Sequence, residues 1–314
     1  MLLTLSQAAK RAQVSEMTIR RRVRAGELQT VTEGVQTRYR STDIDRAFSS
    51  TPPPPAPRGQ ARIIAIANQK GGVGKTTTAA NLAAVLAVNH RVLAIDCDPQ
   101  GNLSQALGAD PEKIERTLYD VLINRAPISS VVMAPVLNLQ QLSLVPSHIQ
   151  LSIAERELSA ALSRELKLKQ AVSAVSSDYD YILLDCPPTL GLLTINALAA
   201  ATEVIVPVDM AKFALNGVAD LVETIEAVRE DANPNLREVR ALANRYDNTR
   251  IAQDVQAALD QMFGDRLFKT RIRQSVKLRE AQAMSLPISV YSPKDNAAID
   301  YRKLAEEVEN AVAA

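Results

Sequence analysis

Two lysines five residues apart, Lys70 and Lys75, bracket a glycine run, and three aspartates, Asp96, Asp98 and Asp185, follow further along the chain. Lysine ammonium groups hold phosphate oxygens, and carboxylates hold Mg²⁺ or steer an attacking water. Between the lysines stand Gly71, Gly72, Val73 and Gly74, and directly after them Thr76, Thr77 and Thr78. Glycines let successive backbone N–H groups turn inward around an anion. In such a loop Lys75 reaches the outer phosphates of a nucleotide and the Thr76 hydroxyl holds Mg²⁺.

These residues need a frame to position them. Residues 62–67 form an apolar run of strand length before the loop, and residues 79–87 form a helix-favouring run after it. Strand, loop and helix in that order aim the positive end of the helix at the anion. Further apolar runs at 91–98, 181–185, 202–208 and 239–244 alternate with helical patterns. The pattern predicts an α/β fold, a mostly parallel sheet covered by helices on both faces. Ligands of such sheets bind at the carboxyl ends of the strands. Asp98, Asp185 and Asn244 all fall there, with Asp96 two residues before Asp98 on the same face of its strand.

The loop departs from the ordinary phosphate-binding pattern. G-x-x-x-x-G-K-[ST] requires Gly at position 69, and Gln69 stands there. K-G-G-x-G-K-T-T, from Lys70 to Thr77, resembles the deviant Walker A loop of the ParA/MinD superfamily. The resemblance implies a P-loop NTPase domain that binds ATP and Mg²⁺ and hydrolyses ATP, with residues 71–77 (Gly71, Gly72, Val73, Gly74, Lys75, Thr76 and Thr77) around the nucleotide. Asp185, followed by Cys186-Pro187-Pro188, reads as the Walker B carboxylate. It would hold Mg²⁺ beside Thr76, with Asp96 near the metal. Asp96-Cys97-Asp98-Pro99-Gln100-Gly101-Asn102 resembles the switch I segment, in which Asp98 orients the water. By the same resemblance Lys70 reaches across a homodimer to the partner's phosphates, so that ATP joins the two copies. Asn244 is expected on the adenine, and Pro287 with residues 291–294 close over it. Residues 144–147, 151–155 and 207–217 match other family segments, so the resemblance covers about residues 61–310.

Ahead of this domain the reading divides the chain into residues 1–48, a Pro-rich linker at 49–60, and residues 61–314. Thr4 and Gln7 are spaced as a capping box for a helix reaching Ala12. A second helix is expected from Glu16 to Arg24, with Ala8, Ala9, Val14, Ile19 and Val23 as core. It carries Arg20, Arg21, Arg22 and Arg24, cations suited to DNA phosphates. A hairpin with its turn at Glu33-Gly34 and a short helix at 42–48 complete a unit that resembles the winged helix-turn-helix of MerR and excisionase-type proteins. Residues 1–60 hold ten Lys and Arg against five Asp and Glu. A protein-docking module with a solvated arginine face is the other reading of the same residues.

Over all 314 residues the net charge is +1, so any attraction to nucleic acid must be local. The resemblance places non-specific DNA binding on basic residues near the C-terminus, here Arg250, Arg273, Lys277 and Arg279. One expected arginine is replaced by Gln274, and a merely solvated charged face is the alternative. Cys97 and Cys186, the only cysteines, read as core residues of buried strands in a reducing cytoplasm. No run is long and apolar enough to span a membrane, no signal peptide is evident, and the tail from 298 lacks the basic face of a membrane helix. The expectation is therefore a cytoplasmic, nucleoid-associated partition ATPase of the ParA type. Its partners are DNA, a ParB-type centromere-binding protein and a second copy of itself, and its N-terminal unit binds operator DNA. Two rivals are a transcription regulator that uses ATP as a conformational switch and a positioner of a protein cargo.

Overall fold

The computed structural model describes residues 2–12, 16, 19, 23, 28, 30–33, 36–40, 59–211, 215 and 217–311. The chain divides into two units, 1–58 and 59–314.

In the first unit the Thr4–Gln7 capping box forms as expected. The Thr4 amide donates to Gln7 Oε1 at 2.9 Å, and the Gln7 amide donates to Thr4 Oγ1 at 3.2 Å. The helix it opens runs Leu5–Ala12. Strands β2 (Thr30–Glu33) and β3 (Gln36–Arg40) pair antiparallel, with Glu33 opposite Gln36. A short strand that the sequence did not suggest, β1 (Leu2–Leu3), adds to the other edge of β3. Leu3, Ala8, Ala9, Ile19, Leu28 and Tyr39 form its core, and Val23 packs against them. The expected core residue Val14, the arginines Arg20, Arg21, Arg22 and Arg24, the helix at 42–48 and linker residues 49–58 lie outside the described residues.

The second unit is built on seven strands: β4 (Arg62–Ile66), β5 (Val92–Asp96), β6 (Leu142–Val145), β7 (Tyr181–Asp185), β8 (Glu203–Asp209), β9 (Glu238–Tyr246) and β10 (Ile272–Arg273). Their order is β10-β9-β8-β4-β7-β5-β6, and every neighbouring pair is parallel. Side chains of a strand alternate between faces, so a strand buried on both sides is apolar throughout. That is observed. Leu93 and Ile95 of β5 join one core, with the Leu192–Ala200 and Val218–Asp231 helices. Val92 and Ala94 join the other, with the Lys75–Leu86 and Asn296–Asn310 helices. Cys97 and Cys186 are both buried in the first core. The chain runs from β4 outward to β5 and β6, returns through β7 beside β4, and then crosses to β8 and β9. The glycine loop follows β4, at the point where the strand order reverses, where open α/β sheets bind ligands.

Candidate nucleotide site

The loop owes its shape to glycine at two positions. Gly72 and Gly74 have φ of 74° and 91°, which a residue with Cβ adopts only under strain. A Cβ on Gly74 would also lie 2.2 Å from Asn244 Nδ2. That amide donates to the Val73 carbonyl at 2.9 Å, and its Oδ1 accepts from the Arg245 amide at 2.9 Å. Asn244, two residues before the end of β9, thus holds the back of the loop. With a carbonyl of the loop held from behind, its amides are left to face an anion.

The two lysines are placed differently. Lys75 is 7% exposed, and its Nζ donates to the Lys70 carbonyl at 3.1 Å. Burial pulls its pKa down, while Asp185, Cys186 and Asp98 oppose that. Lys70 is fixed through its backbone, whose amide donates to Asn68 Oδ1 at 2.9 Å; Asn68 Nδ2 in turn donates to the Pro207 carbonyl. The Gln69 amide group reaches Asp220 at 3.1 Å, which ties the loop to the Val218–Asp231 helix. Gln69 also packs against Gly217, where a Cβ would meet its side chain.

The aspartates sit side by side but in unlike states. Asp96 and Asp185 are register partners on β5 and β7, and both are fully buried. Asp96 Oδ2 accepts from the Ser104 amide at 2.8 Å and the Ser104 hydroxyl at 2.7 Å, and Oδ1 accepts from the Asp98 amide at 3.1 Å. Burial raises its pKa to about 7, and the bonds from Ser104 restrain the rise. Neither oxygen of Asp185 has a hydrogen-bond partner of good geometry. Its burial, and after that Asp96, push its pKa well above the ordinary carboxylate range; the nearby Thr76 hydroxyl and Lys75 oppose this. An unsatisfied buried carboxylate costs on the order of several kcal/mol. A divalent cation offsets that cost, so Asp185 with Thr76 fits Mg²⁺. Asp96, whose oxygens are taken by Ser104 and Asp98, lies beside that site as a support. Asp98 is 6% exposed, and its Oδ1 accepts from the Gln100 amide at 2.9 Å.

A cleft of about 250 Å³ opens beside the loop, lined by Gly72, Gly74, Thr77, Asn244 and Arg245 on one side and residues of the 273–282 segment on the other. Pro287, expected over the base, is not among the lining residues. It caps the Ile288–Tyr291 helix, where the Ile288 amide donates to Asn81 Oδ1. A larger groove of about 610 Å³, between residues 121–129 and 167–178, contains no glycine loop and no member of the aspartate set.

Two of the cations expected on a DNA-facing surface are already engaged. Arg273 grips Asp300 with two bonds, Nε to Oδ2 at 2.9 Å and Nη2 to Oδ1 at 2.7 Å, and Lys277 pairs with Glu280 at 2.8 Å. Arg273 and Arg279 also line the cleft, so they stand near the nucleotide site. Arg250 opens the Arg250–Phe263 helix and is exposed. Ser104 escaped the sequence reading, and Arg245 stood out there only as one of a cluster of basic residues near the C-terminus, not as a neighbour of the loop. A serine early in a helix and an arginine near the end of a strand carry no motif of their own.

A glycine loop between β4 and a helix, a buried lysine at its end and the open carboxylate of Asp185 on the neighbouring strand β7 define a P-loop ATPase with two lysines in the loop. The AAA domain family matches residues 61–238. The chain is similar to the sporulation initiation inhibitor protein Soj of Bacillus subtilis, 43% identical over 249 residues that cover 79% of this chain and 98% of that protein. It is likewise 43% identical to the chromosome-partitioning ATPase Soj of Treponema pallidum, over 79% of this chain and 96% of that one. Among solved structures, cobyrinic acid a,c-diamide synthase from Mycobacterium smegmatis, with bound ADP and magnesium, superposes with a TM-score of 0.70 at 34% identity, covering 81% of this chain and 96% of that chain. The chain belongs to the ParA/MinD family of partition ATPases.

Proposed function

We propose that this ATPase moves or spaces DNA by cycling between an ATP-bound dimer and a released form. The observation that carries the reading is the unequal pair of lysines in the glycine loop, of which Lys75 faces Asp185. Lys75 is buried into its own loop, whereas the Lys70 side chain is left to serve elsewhere. ATP would lie with its phosphates in the amides of Gly71, Gly72, Val73, Gly74, Lys75, Thr76 and Thr77, and its base toward the cleft. Thr76 and Asp185 would hold Mg²⁺, which neutralises charge on the phosphates. Lys75 stabilises the outer phosphates, and Asp98 orients the water that attacks. Lys70 reaches the partner's phosphates, as an arginine finger does.

In this reading the dimer binds DNA through phosphate contacts, with Arg250 and Arg279 as the contributing cations, joined by Lys277 where phosphate displaces its exposed partner Glu280. Phosphate-only contact carries little sequence preference and weakens steeply with salt. A ParB-type partner bound at a centromere site stimulates hydrolysis and releases the dimer. The first unit, with its capped helix and antiparallel sheet, binds operator DNA as a winged helix-turn-helix through Arg20, Arg21, Arg22 and Arg24. Among the described residues no helix is long and apolar enough to cross a membrane.

Phosphate release measured with every combination of DNA and the product of the adjacent downstream gene tests this reading. Stimulation only when both are present is the expected result. Indifference to either one would favour a regulator that uses ATP as a switch.

A further inference from the structure

Ser104 makes more bonds to the aspartate cluster than any motif residue does. Its amide and its hydroxyl both donate to Asp96 Oδ2, at 2.8 and 2.7 Å. Its hydroxyl oxygen also accepts from the Ser147 amide at 2.9 Å. The other oxygen of Asp96 accepts from the Asp98 amide at 3.1 Å. Ser104, Ser147 and Asp98 are 1%, 3% and 6% exposed, and Asp96 is fully buried. Water therefore has little access to compete for these bonds.

A carboxylate held by three donors has one orientation available. One of the three donors is the Asp98 amide itself. Whatever turns Asp96 therefore turns the backbone that carries Asp98. The Asp98 loop has little other slack. The Gly101 amide returns to the Asp98 carbonyl at 3.0 Å, and Gly101 has φ of 66° with its Cβ position 3.2 Å from the Ser147 carbonyl. Ser147 thus meets the loop twice, at Ser104 and at Gly101. Asp185, on the neighbouring strand, has no such harness, so the bonding is specific to the strand that leads to Asp98.

We propose that Ser104 is a positioning residue for hydrolysis: by pinning Asp96 between itself and the Asp98 amide, it sets where the Asp98 carboxylate stands relative to the attacking water. The proposal rests on the reading of Asp98 as the water-orienting group. Ser104 touches neither nucleotide nor water in this account. Its effect is felt only in the transition state, where small displacements of a catalytic group are costly. Nucleotide affinity depends on the glycine loop and Lys75, which Ser104 does not touch.

The test is steady-state phosphate release by the full chain with Mg²⁺ and ATP. Ser104→Ala is expected to lower kcat about ten- to a hundredfold while KM for ATP stays within about twofold. Ser147→Ala is the control. It removes a hydroxyl that is buried without a partner and leaves the amide that Ser104 uses, so kcat should match wild type. Ser104→Cys keeps the side-chain shape at a slightly larger size, loses the strong donor and serves if the alanine variant does not fold. In the Asp96→Asn background Ser104→Ala should cost nothing further, because both act through one group. Unchanged kcat in the alanine and cysteine variants, a loss confined to KM, or losses that multiply with Asp96→Asn would each overturn the proposal. Asp98→Ala separates the two layers. If it leaves kcat intact, the reading beneath has failed; if it abolishes turnover while Ser104→Ala leaves kcat at the wild-type value, only the proposal has.

Discussion

Asp96 and Asp185 occupy matching positions on adjacent parallel strands, yet Asp96 is held by Ser104 and the Asp98 amide while neither Asp185 oxygen has a partner of good geometry and only the Thr76 hydroxyl stands near. Two carboxyls this close cannot both ionise without cost. The protein assigns one to internal support and leaves the other open for a cation.

Asp185→Asn should stabilise the nucleotide-free protein and abolish its stabilisation by Mg²⁺ with ATP. The pKa of Asp185 is raised on folding. A raised carboxyl contributes no penalty below its unfolded value, near about 4, where both states are protonated. Its penalty grows as pH rises from there through the folded pKa. The gain from Asn should therefore be larger at pH 8 than at pH 5, read by urea melts at the two values. An equal gain at both would sink the argument.

Gly74→Ala should lose nucleotide binding. The φ of 91° costs a residue with Cβ about 1–2 kcal/mol, and the new methyl meets Asn244. Adding Asn244→Ala removes the second cost but not the first, and gives up the two bonds by which Asn244 holds the loop, so the double variant should regain at most part of the lost stability. Thermal melts with and without Mg²⁺ and ATP give both numbers. Full recovery in the double variant would mean that the backbone strain is negligible.

Lys75 and Lys70 should fail in different ways. Lys75→Ala removes the buried cation of the loop and should abolish ATP binding. Lys70→Ala should bind ATP normally but remain monomeric in size-exclusion chromatography with ATP present. A Lys70→Ala variant that dimerises like wild type would refute a role across the dimer.

The central sheet was legible because β4, β5, β7, β8 and β9 are long apolar runs buried on both faces. The strands β6 (Leu142–Val145) and β10 (Ile272–Arg273) were not read as strands. β10 is two residues long, and its pairing is imposed by β9 rather than by its own pattern. The loop lysines and the aspartates could be found from residue type and spacing, since each must stand at a strand end. What Asp96 does could not. Its bonds to Ser104 depend on how the Asn102–Ala106 helix folds back over β5, and serine is ordinary at such a place. Arg273 shows the converse limit: sequence displays its charge but not Asp300, which claims it from 27 residues away.

That partnership separates the basic residues near the C-terminus by experiment. Arg273→Ala strands Asp300, which is 4% exposed and keeps only the backbone amide of residue 273 as a donor from that strand. It should cost about 1–3 kcal/mol of stability, and its effect on DNA should follow from that loss. Arg250 is exposed, and among the described residues it holds no ion pair. Arg250→Ala should leave the melting temperature unchanged, weaken DNA binding equally on all sequences, and lower the slope of log affinity against log salt by about 0.9 for each protomer's Arg250 that contacts a phosphate. The two variants are to be compared by thermal melts and by DNA titrations at several salt concentrations with ATP present. If Arg250→Ala keeps the full salt slope while Arg273→Ala reduces it without loss of stability, the DNA-facing surface lies on the Arg273 side and the Asp300 pair opens to admit phosphate.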